Sequence, residues 1–143
     1  MPSSRARRAG QPPSPEPNSS PIVTPMLARR DSIPHFVVTS VDGSEVRYAD
    51  IWQRRFLVLV CVPAPSDRAR AYAAALELAC ARTEVETTCV VTATAVDGLP
   101  APAAVVADRY GEVAFVAAAH SLDGLPLPDD LADWVRYIGI RCS

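Results

Sequence analysis

The apolar positions of the chain fall into short strand-like runs separated by stretches with helical spacing. The first two runs, residues 33–40 and 45–48, flank the turn sequence VDGS at 41–44, and an Asp-Gly pair between such runs is typical of a β-hairpin. A short helix over residues 49–54 is expected to follow. The pattern therefore predicts that the folded part of the chain opens with a hairpin.

The longest apolar run, residues 56–62, predicts a central strand. Its sequence FLVLVCV has no alternating polar positions, which is the pattern of a strand covered on both faces. Ser66 and Asp67 are good N-cap residues for a helix that runs to about Arg82, and residues 87–95 predict the next strand. A strand, helix and strand in this order predict a parallel pair with a right-handed crossover.

The last third of the chain predicts a second hairpin and a final helix. Residues 103–107 and 112–117 flank the turn sequence DRYG, and Pro128 opens the helix. Only the seven residues VDGLPAP separate this hairpin from the preceding strand. An antiparallel strand can begin at the end of the sheet where the previous strand stopped, so this short connection is geometrically possible.

Length and composition agree with one ordinary α/β domain. The chain has 143 residues, of which 49% are hydrophobic, and no apolar run approaches the ~20 residues that span a bilayer. No membrane association is expected. The arginines near the N-terminus are not followed by an apolar stretch, so we expect no secretory signal and a cytoplasmic location.

The N-terminal segment differs in composition from the rest. Residues 1–25 contain seven of the 14 prolines, and residues 1–30 carry five arginines and one glutamate. This predicts a disordered tail over 1–30 before a domain over 31–143, with Met26 as a possible alternative start. The remainder has nine arginines and 15 acidic residues, a net charge of −6, so no nucleic-acid partner is expected.

Three segments of the chain resemble redoxins of the alkyl hydroperoxide reductase/thiol-specific antioxidant kind. Residues 26–36, MLARRDSIPHF, resemble the opening of these proteins, with Arg30 in place of their usual glycine. Residues 41–60 resemble their hairpin and following strand, and residues 102–113 resemble a hairpin that begins with a cis-proline at the active site. The resemblance covers about residues 26–140.

The resemblance implies a thioredoxin-like three-layer fold with a mixed sheet and an N-terminal β-hairpin extension. Such proteins usually have a helix between the second parallel strand and the proline hairpin, and this central helix is missing here. We therefore expect one sheet face to expose apolar surface that invites a partner. The resemblance also implies a cis peptide at Ala101–Pro102, with Pro100 as the second choice.

The chain departs from the redoxins at the catalytic position. Aligning LVLVCVPAPSDRAR with the thioredoxin motif puts Ser66 at the nucleophile and Ala69 at the resolving position. Aligning it with the peroxiredoxin motif also puts no cysteine at the catalytic position. A serine hydroxyl cannot be oxidised through a sulfenate to a disulfide. We therefore expect a non-catalytic binding module that uses Pro65, Ser66, Asp67 and Pro102 to bind another protein or a small thiol, with no cofactor.

The four cysteines leave an enzymatic alternative open. Cys61 is expected in the core, and Cys80 and Cys89 either stay reduced or pair with each other. None of the cysteines forms a C-x-x-C motif, so no metal site is expected. Cys142 is the expected exposed thiol, and a divergent thiol-dependent peroxidase or oxidoreductase would use it. A serine hydrolase built on Ser66 is not favoured, because the chain lacks a G-x-S-x-G elbow.

Overall fold

The computed structural model describes residues 26–142, and side chains up to residue 140. Its six strands and two α-helices are β1 (Val37–Thr39), β2 (Glu45–Arg47), β3 (Phe56–Cys61), α1 (Asp67–Ala81), β4 (Thr87–Thr92), β5 (Ala103–Ala107), β6 (Val113–Ala118) and α2 (Pro128–Cys142). Two 3-10 turns lie at Tyr48–Asp50 and Leu122–Gly124. Within this part of the chain, neither helix has the length and apolar character needed to cross a membrane.

Strands β3 to β6 form one mixed sheet in the order β4-β3-β5-β6. Strands β3 and β4 are parallel, with Phe56 opposite Thr87, and α1 connects them, which confirms the predicted β-α-β unit. Strand β5 pairs antiparallel with β3 and continues into the hairpin with β6. Strands β1 and β2 form a separate antiparallel hairpin, as expected.

Both helices cover the same face of the sheet. Alternate residues of β3, Val58 and Val60, meet Leu76 of α1 and Val135 of α2 in a core where all four are fully buried. Successive side chains of a strand point to opposite faces. The continuous apolar run of β3 therefore requires a second core on the other side.

That second core shows that the expected exposed apolar face was wrong. Leu57, Leu59 and Val105 are 0% exposed, although the loop of residues 93–102 holds no helix to cover them. The segment before β1, the β1–β2 hairpin and the 3-10 turn after it lie over this face instead, through side chains such as Phe36 and Tyr48. These N-terminal elements thus cover the face that the missing helix would cover. In the described part of the chain, the face therefore exposes no apolar surface that would invite a partner.

The strand predicted over residues 87–95 ends at Thr92, and two further predicted elements are also shorter than expected. The first strand begins at Val37 rather than Ile33, because Pro34 has no amide proton and the Ile33 amide instead donates to the Gly111 carbonyl at 2.8 Å. The predicted helix over residues 49–54 is one 3-10 turn followed by irregular turns. Gln53 ends it in a left-handed conformation, with φ of 69° and its amide bonded to the Arg109 carbonyl.

The predicted tail over residues 1–30 lies mostly outside the described residues, so its disorder and the boundary stay predictions. Its last residues are described and contact the sheet region. The Leu27 amide donates to the Gly98 carbonyl and the Arg30 amide to the Val113 carbonyl, both at 2.8 Å.

Candidate functional site

The candidate site is the end of the sheet where β3 stops, α1 begins and β5 starts. Cys61 pairs with Ala103, so Val62 and Pro102 are the next residues along two adjacent antiparallel strands. Buried Val62 also donates its amide to the Thr92 carbonyl of β4 at 2.8 Å. We call residues 63–67 and 101–102 the corner.

Ser66 is the N-cap of α1, as the sequence predicted. Its backbone is extended, with φ of −159°, and its Oγ accepts a hydrogen bond from the Ala69 amide at 3.0 Å. Its carbonyl accepts from the Arg70 amide, which closes the first helical turn. The hydroxyl therefore satisfies one of the amides that a helix start leaves without an intrahelical partner.

Asp67, the first residue of α1, points to solvent. Its carboxylate pairs with the Arg70 guanidinium at 2.8 Å, on a side chain that is fully exposed. A surface pair of this kind contributes little to stability. It does set the local charge: the acidic group offsets the positive end of the helix dipole at the corner.

Pro102 completes the corner from the β5 side. The Ala101–Pro102 peptide is cis, which confirms the expectation drawn from the resemblance. Pro102 is buried, and its carbonyl accepts a hydrogen bond from the Ala119 amide at 3.0 Å, so it continues the β5–β6 ladder by one residue. Ala101, just before it, is exposed.

The structure thus places Pro65, Ser66, Asp67 and Pro102 at one end of the sheet. Pro65 and Asp67 are exposed, Ser66 is half-buried and Pro102 is buried. Their role in binding stays a prediction.

His120 also belongs to this end of the sheet, and the sequence reasoning did not place it there. Ala118 pairs with Ala103, and Ala119 bonds to Pro102, so the exposed His120 follows directly. The hairpin sequence carried only part of this signal: counting outward from the turn at 108–111 brings residue 117 opposite 102, whereas the observed register is two residues further, because Ala107 pairs with Val113 and the register shifts again at Val106/Ala107.

A cavity of about 190 Å³ lies beside the first half of α1. Arg68 and Tyr72 line it from the helix, and Leu125 lines it from the connection before α2. The Tyr72 hydroxyl donates to the Pro126 carbonyl at 2.5 Å, and Arg68 forms an ion pair with Asp123. Burial raises the pKa of Tyr72 to about 12, so this phenol stays protonated as a donor at neutral pH.

Of the three cysteines whose side chains are described, one lies alone in the core and two lie together near the end of α1. Cys61 is 2% exposed at the end of β3, and burial raises the pKa of its thiol to about 11, so it is a core residue as predicted. Cys80 and Cys89 have free thiols and line one cavity at the β4 edge of the sheet. Cys142 ends α2, but its side chain lies outside those described, so its exposure stays a prediction.

Comparison with known proteins gives a fold and no family. No model of a protein family matches the sequence, and no curated protein sequence matches it. Solved structures do match. A peroxiredoxin-like protein from Aquifex aeolicus superposes with a TM-score of 0.56 at 17% identity, covering 80% of this chain and 89% of that one.

Two further structures extend the likeness. The reduced 2-Cys peroxiredoxin of Plasmodium vivax gives a TM-score of 0.57 at 13% identity, over 79% of this chain and 82% of its own. A thiol:disulfide interchange protein of the thioredoxin family from Chlorobium tepidum TLS gives 0.53 at 15% identity, over 77% and 97%. Together with the mixed sheet, the helices on one face and the cis-proline hairpin, these likenesses show that the chain has the thioredoxin-like fold.

Proposed function

We propose that this chain is a redoxin-related protein that has lost the catalytic cysteine and uses the corner to bind an extended segment of another protein. The observation that carries the proposal is the role of Ser66. At the position where the resemblance implies a nucleophilic thiol, its hydroxyl accepts a hydrogen bond from the Ala69 amide and caps α1.

The chemistry of the corner supports binding rather than thiol exchange. The sequence from Val62 to Ala79 contains no cysteine, so the connection after β3 and most of α1 supply no thiol. A thiolate, and not a hydroxyl, is the nucleophile of disulfide exchange. Cys61 does not substitute, because it is buried in the core opposite the helices.

The shape of the corner supports an extended polypeptide as the occupant. Pro63, Ala64 and Pro65 are exposed and small or rigid, and Ala101 is exposed across from them. In the redoxins that the sequence resembles, the cis-proline presents a backbone edge to an extended ligand. A strand-like segment gains main-chain hydrogen bonds from such an edge and side-chain contacts from the apolar loop.

A binding experiment tests this with a permanently unfolded probe, reduced and carboxymethylated α-lactalbumin. We expect titration to shift the backbone amide signals of Asp67, Ala101 and Ala103 in ¹⁵N-labelled, reduced protein. Ala101→Trp fills the space beside Pro102 and is expected to weaken binding at least tenfold. Ala75→Trp, on the exposed middle of α1, is the matched control and should bind like the wild type.

The contrary results are distinct. Shifts confined to another face, or equal binding by both tryptophan variants, would contradict the proposal. Reduced glutathione, a small thiol, is titrated in parallel. If glutathione shifts the amide signals of the corner and the unfolded α-lactalbumin does not, the ligand of the corner is a small thiol and not a protein segment.

An activity experiment tests the loss of catalysis. We expect no insulin disulfide reduction by the wild type with dithiothreitol as reductant, and the same result for Ser66→Ala. Ser66→Cys restores a thiol at the helix start, where its pKa is lowered. Its alkylation by iodoacetamide, located by peptide mapping, should be faster than at Ala64→Cys in the preceding loop. Sustained insulin reduction by the wild type that persists in the Cys80→Ser variant would contradict the proposal.

A further inference from the structure

Two thiols meet at the end of α1 that is remote from Ser66. Cys80 lies in the last turn of the helix and is 3% exposed. Cys89 is the third residue of β4, and it packs on the helix-side core, as does Val91 two residues later. Both cysteines belong to the helix-side core and line the same cavity, which places them side by side.

This thiol pair is open to small molecules. A cavity of about 370 Å³ is lined by both cysteines, together with Glu77, Val85 and Thr88. Strand β4 is the edge strand of the sheet, and the side chain of Cys89 is therefore half-buried rather than enclosed. An oxidant that enters the cavity meets both cysteines among the residues that line it.

Charged side chains flank the pair. The Arg55 guanidinium lines the cavity beside Cys89, where it donates to Thr88 Oγ1 at 2.9 Å and to the Thr87 carbonyl at 2.8 Å. The charge of Arg136 in α2 lowers the pKa of Cys80. At Cys89, the carboxylate of Glu77 raises the pKa and Arg55 lowers it.

The two thiols differ in acidity for a structural reason. The neighbouring Cys89 thiol, together with the charge of Arg136, lowers the pKa of Cys80 against the opposing effect of burial. The neighbouring Cys80 and burial raise the pKa of Cys89. A low-pKa thiol beside a second cysteine is the arrangement of a redox-sensitive pair.

We infer that Cys80 and Cys89 form a reversible dithiol–disulfide site that hydrogen peroxide oxidises through the cavity at the β4 edge. The inference goes beyond the binding function proposed for the corner and does not depend on it. It assigns redox chemistry to the opposite end of α1, on residues outside the thioredoxin and peroxiredoxin motif positions.

The reaction balances with peroxide as the oxidant. The Cys80 thiolate attacks one oxygen of hydrogen peroxide, the O–O bond breaks, and hydroxide leaves to take up a proton as water. Cys80 is then a sulfenic acid. The Cys89 sulfur attacks the Cys80 sulfur, the S–O bond breaks, and a second water leaves with the Cys89 proton. Two thiols lose two electrons, and one peroxide is reduced to two waters.

The disulfide would connect the end of α1 to β4 across the loop of residues 82–86. The oxidised chain would therefore hold this helix end on the edge strand more firmly, because the cross-link restricts the unfolded chain. A dithiol such as dithiothreitol reverses the bond. The site thus gives the chain two stable states that differ at the β4 edge.

Mass spectrometry of the intact full chain tests the inference. Reduced wild-type protein is treated with stoichiometric hydrogen peroxide, and the remaining thiols are alkylated. We expect a loss of 2 Da, two fewer alkylated cysteines, and a cross-linked peptide pair containing Cys80 and Cys89. Dithiothreitol should restore all thiols, and the thermal midpoint of the oxidised form should rise by several degrees.

Three variants distinguish this pair from other cysteines. Cys80→Ser and Cys89→Ser should each abolish the 2 Da loss, whereas Cys142→Ser should retain it. A disulfide that includes Cys142, a dimer linked between chains, or a folded wild type that keeps every thiol would overturn the inference. Circular dichroism before oxidation shows whether each variant is folded. If a variant is unfolded, the presence or absence of the Cys80–Cys89 cross-link in the wild type decides whether the inference holds.

The two proposals fail separately. Binding at the corner is measured on fully reduced protein, so it is independent of the disulfide. Peroxide consumption that Cys80→Ser abolishes belongs to the thiol pair and leaves the binding proposal intact. Insulin reduction that survives in Cys80→Ser contradicts the binding proposal and leaves the thiol pair intact.

Discussion

Gly111, in the turn between β5 and β6, combines a left-handed backbone with a close contact. Its φ is +86°, and a Cβ added there would lie 2.8 Å from the Tyr48 hydroxyl oxygen, whose side chain is 1% exposed. Buried Tyr48 has little freedom to move away. Gly43, in the β1–β2 turn, has a φ of +94° but no atom within 4 Å of a built Cβ.

The two glycines give a matched prediction. Gly43→Ala should lower the free energy of unfolding by about 1 kcal/mol, from the left-handed backbone alone. Gly111→Ala should lower it by about 2–4 kcal/mol, because the overpacking against Tyr48 is added. Urea unfolding of both variants measures the difference. Equal losses would show that Tyr48 moves aside without resistance.

Arg30 occupies a position where the redoxins that the sequence resembles have glycine. Its φ is +80°, a conformation that an L-residue with a side chain adopts at a cost of about 1 kcal/mol. Its amide donates to the Val113 carbonyl at 2.8 Å, so the position is held by the sheet. The backbone at Arg30 therefore has the left-handed conformation that glycine adopts most readily.

Arg30→Gly should raise the free energy of unfolding by about 1 kcal/mol, because glycine adopts this backbone without strain. The neighbouring Arg29, which has no positive φ, provides the control: Arg29→Gly should leave stability unchanged or lower it by up to about 1 kcal/mol. Chemical denaturation of the two variants measures both changes. Destabilisation by Arg30→Gly would mean that the arginine side chain makes a contribution larger than the strain.

At the scale of elements, the start of α1 depends on one side chain. Ser66 Oγ accepts from the Ala69 amide, whereas Ser121, the N-cap of the 3-10 turn before α2, makes no side-chain capping bond. Both residues have the extended backbone of an N-cap, with φ of −159° and −153°. They differ in whether the side-chain hydroxyl accepts a capping hydrogen bond.

Ser66→Ala should therefore lower the free energy of unfolding by about 1 kcal/mol, and Ser121→Ala by less than about 0.5 kcal/mol. Thermal unfolding followed by circular dichroism compares the two. A similar loss in both would show that the Ser66 hydroxyl contributes no capping energy, and would weaken the argument that this hydroxyl is committed to structure.

At the scale of the whole molecule, the N-terminal region substitutes for a helix. Phe36 is 7% exposed and stacks on Tyr48 with ring centroids 5.3 Å apart, over the sheet face opposite α1 and α2. Val37, the next residue, is 55% exposed. Substituting the buried Phe36 tests the second core, and substituting the exposed Val37 tests the neighbouring strand position without that core.

Phe36→Ala should lower the free energy of unfolding by about 3–5 kcal/mol, while Val37→Ala should change it by less than about 1 kcal/mol. Denaturation curves measure both. A small loss at Phe36 would indicate that the second sheet face tolerates exposure, and it would reopen that face as a surface for a partner.

Much of the architecture was predictable because its signals are local. The continuous apolar run of β3, the N-cap at Ser66 and the turn residues around Gly43 each act within a few positions of the chain. The cis Ala101–Pro102 peptide followed from a resemblance in residues 102–113 rather than from periodicity. The limits of short elements were less predictable, because the amides of Ile33 and Gln53 bond to carbonyls distant in sequence.

The sequence by itself determined the order of strands and helices, the parallel β3–β4 crossover and the lack of a cysteine from Val62 to Ala79. Only the tertiary structure decided what covers the second sheet face, that Cys80 and Cys89 line one cavity and that His120 follows the strand beside Pro102. Periodicity and capping depend on neighbours a few residues apart, whereas these contacts depend on register and packing between elements. A pattern along the chain carries the first kind of information, and burial in three dimensions decides the second.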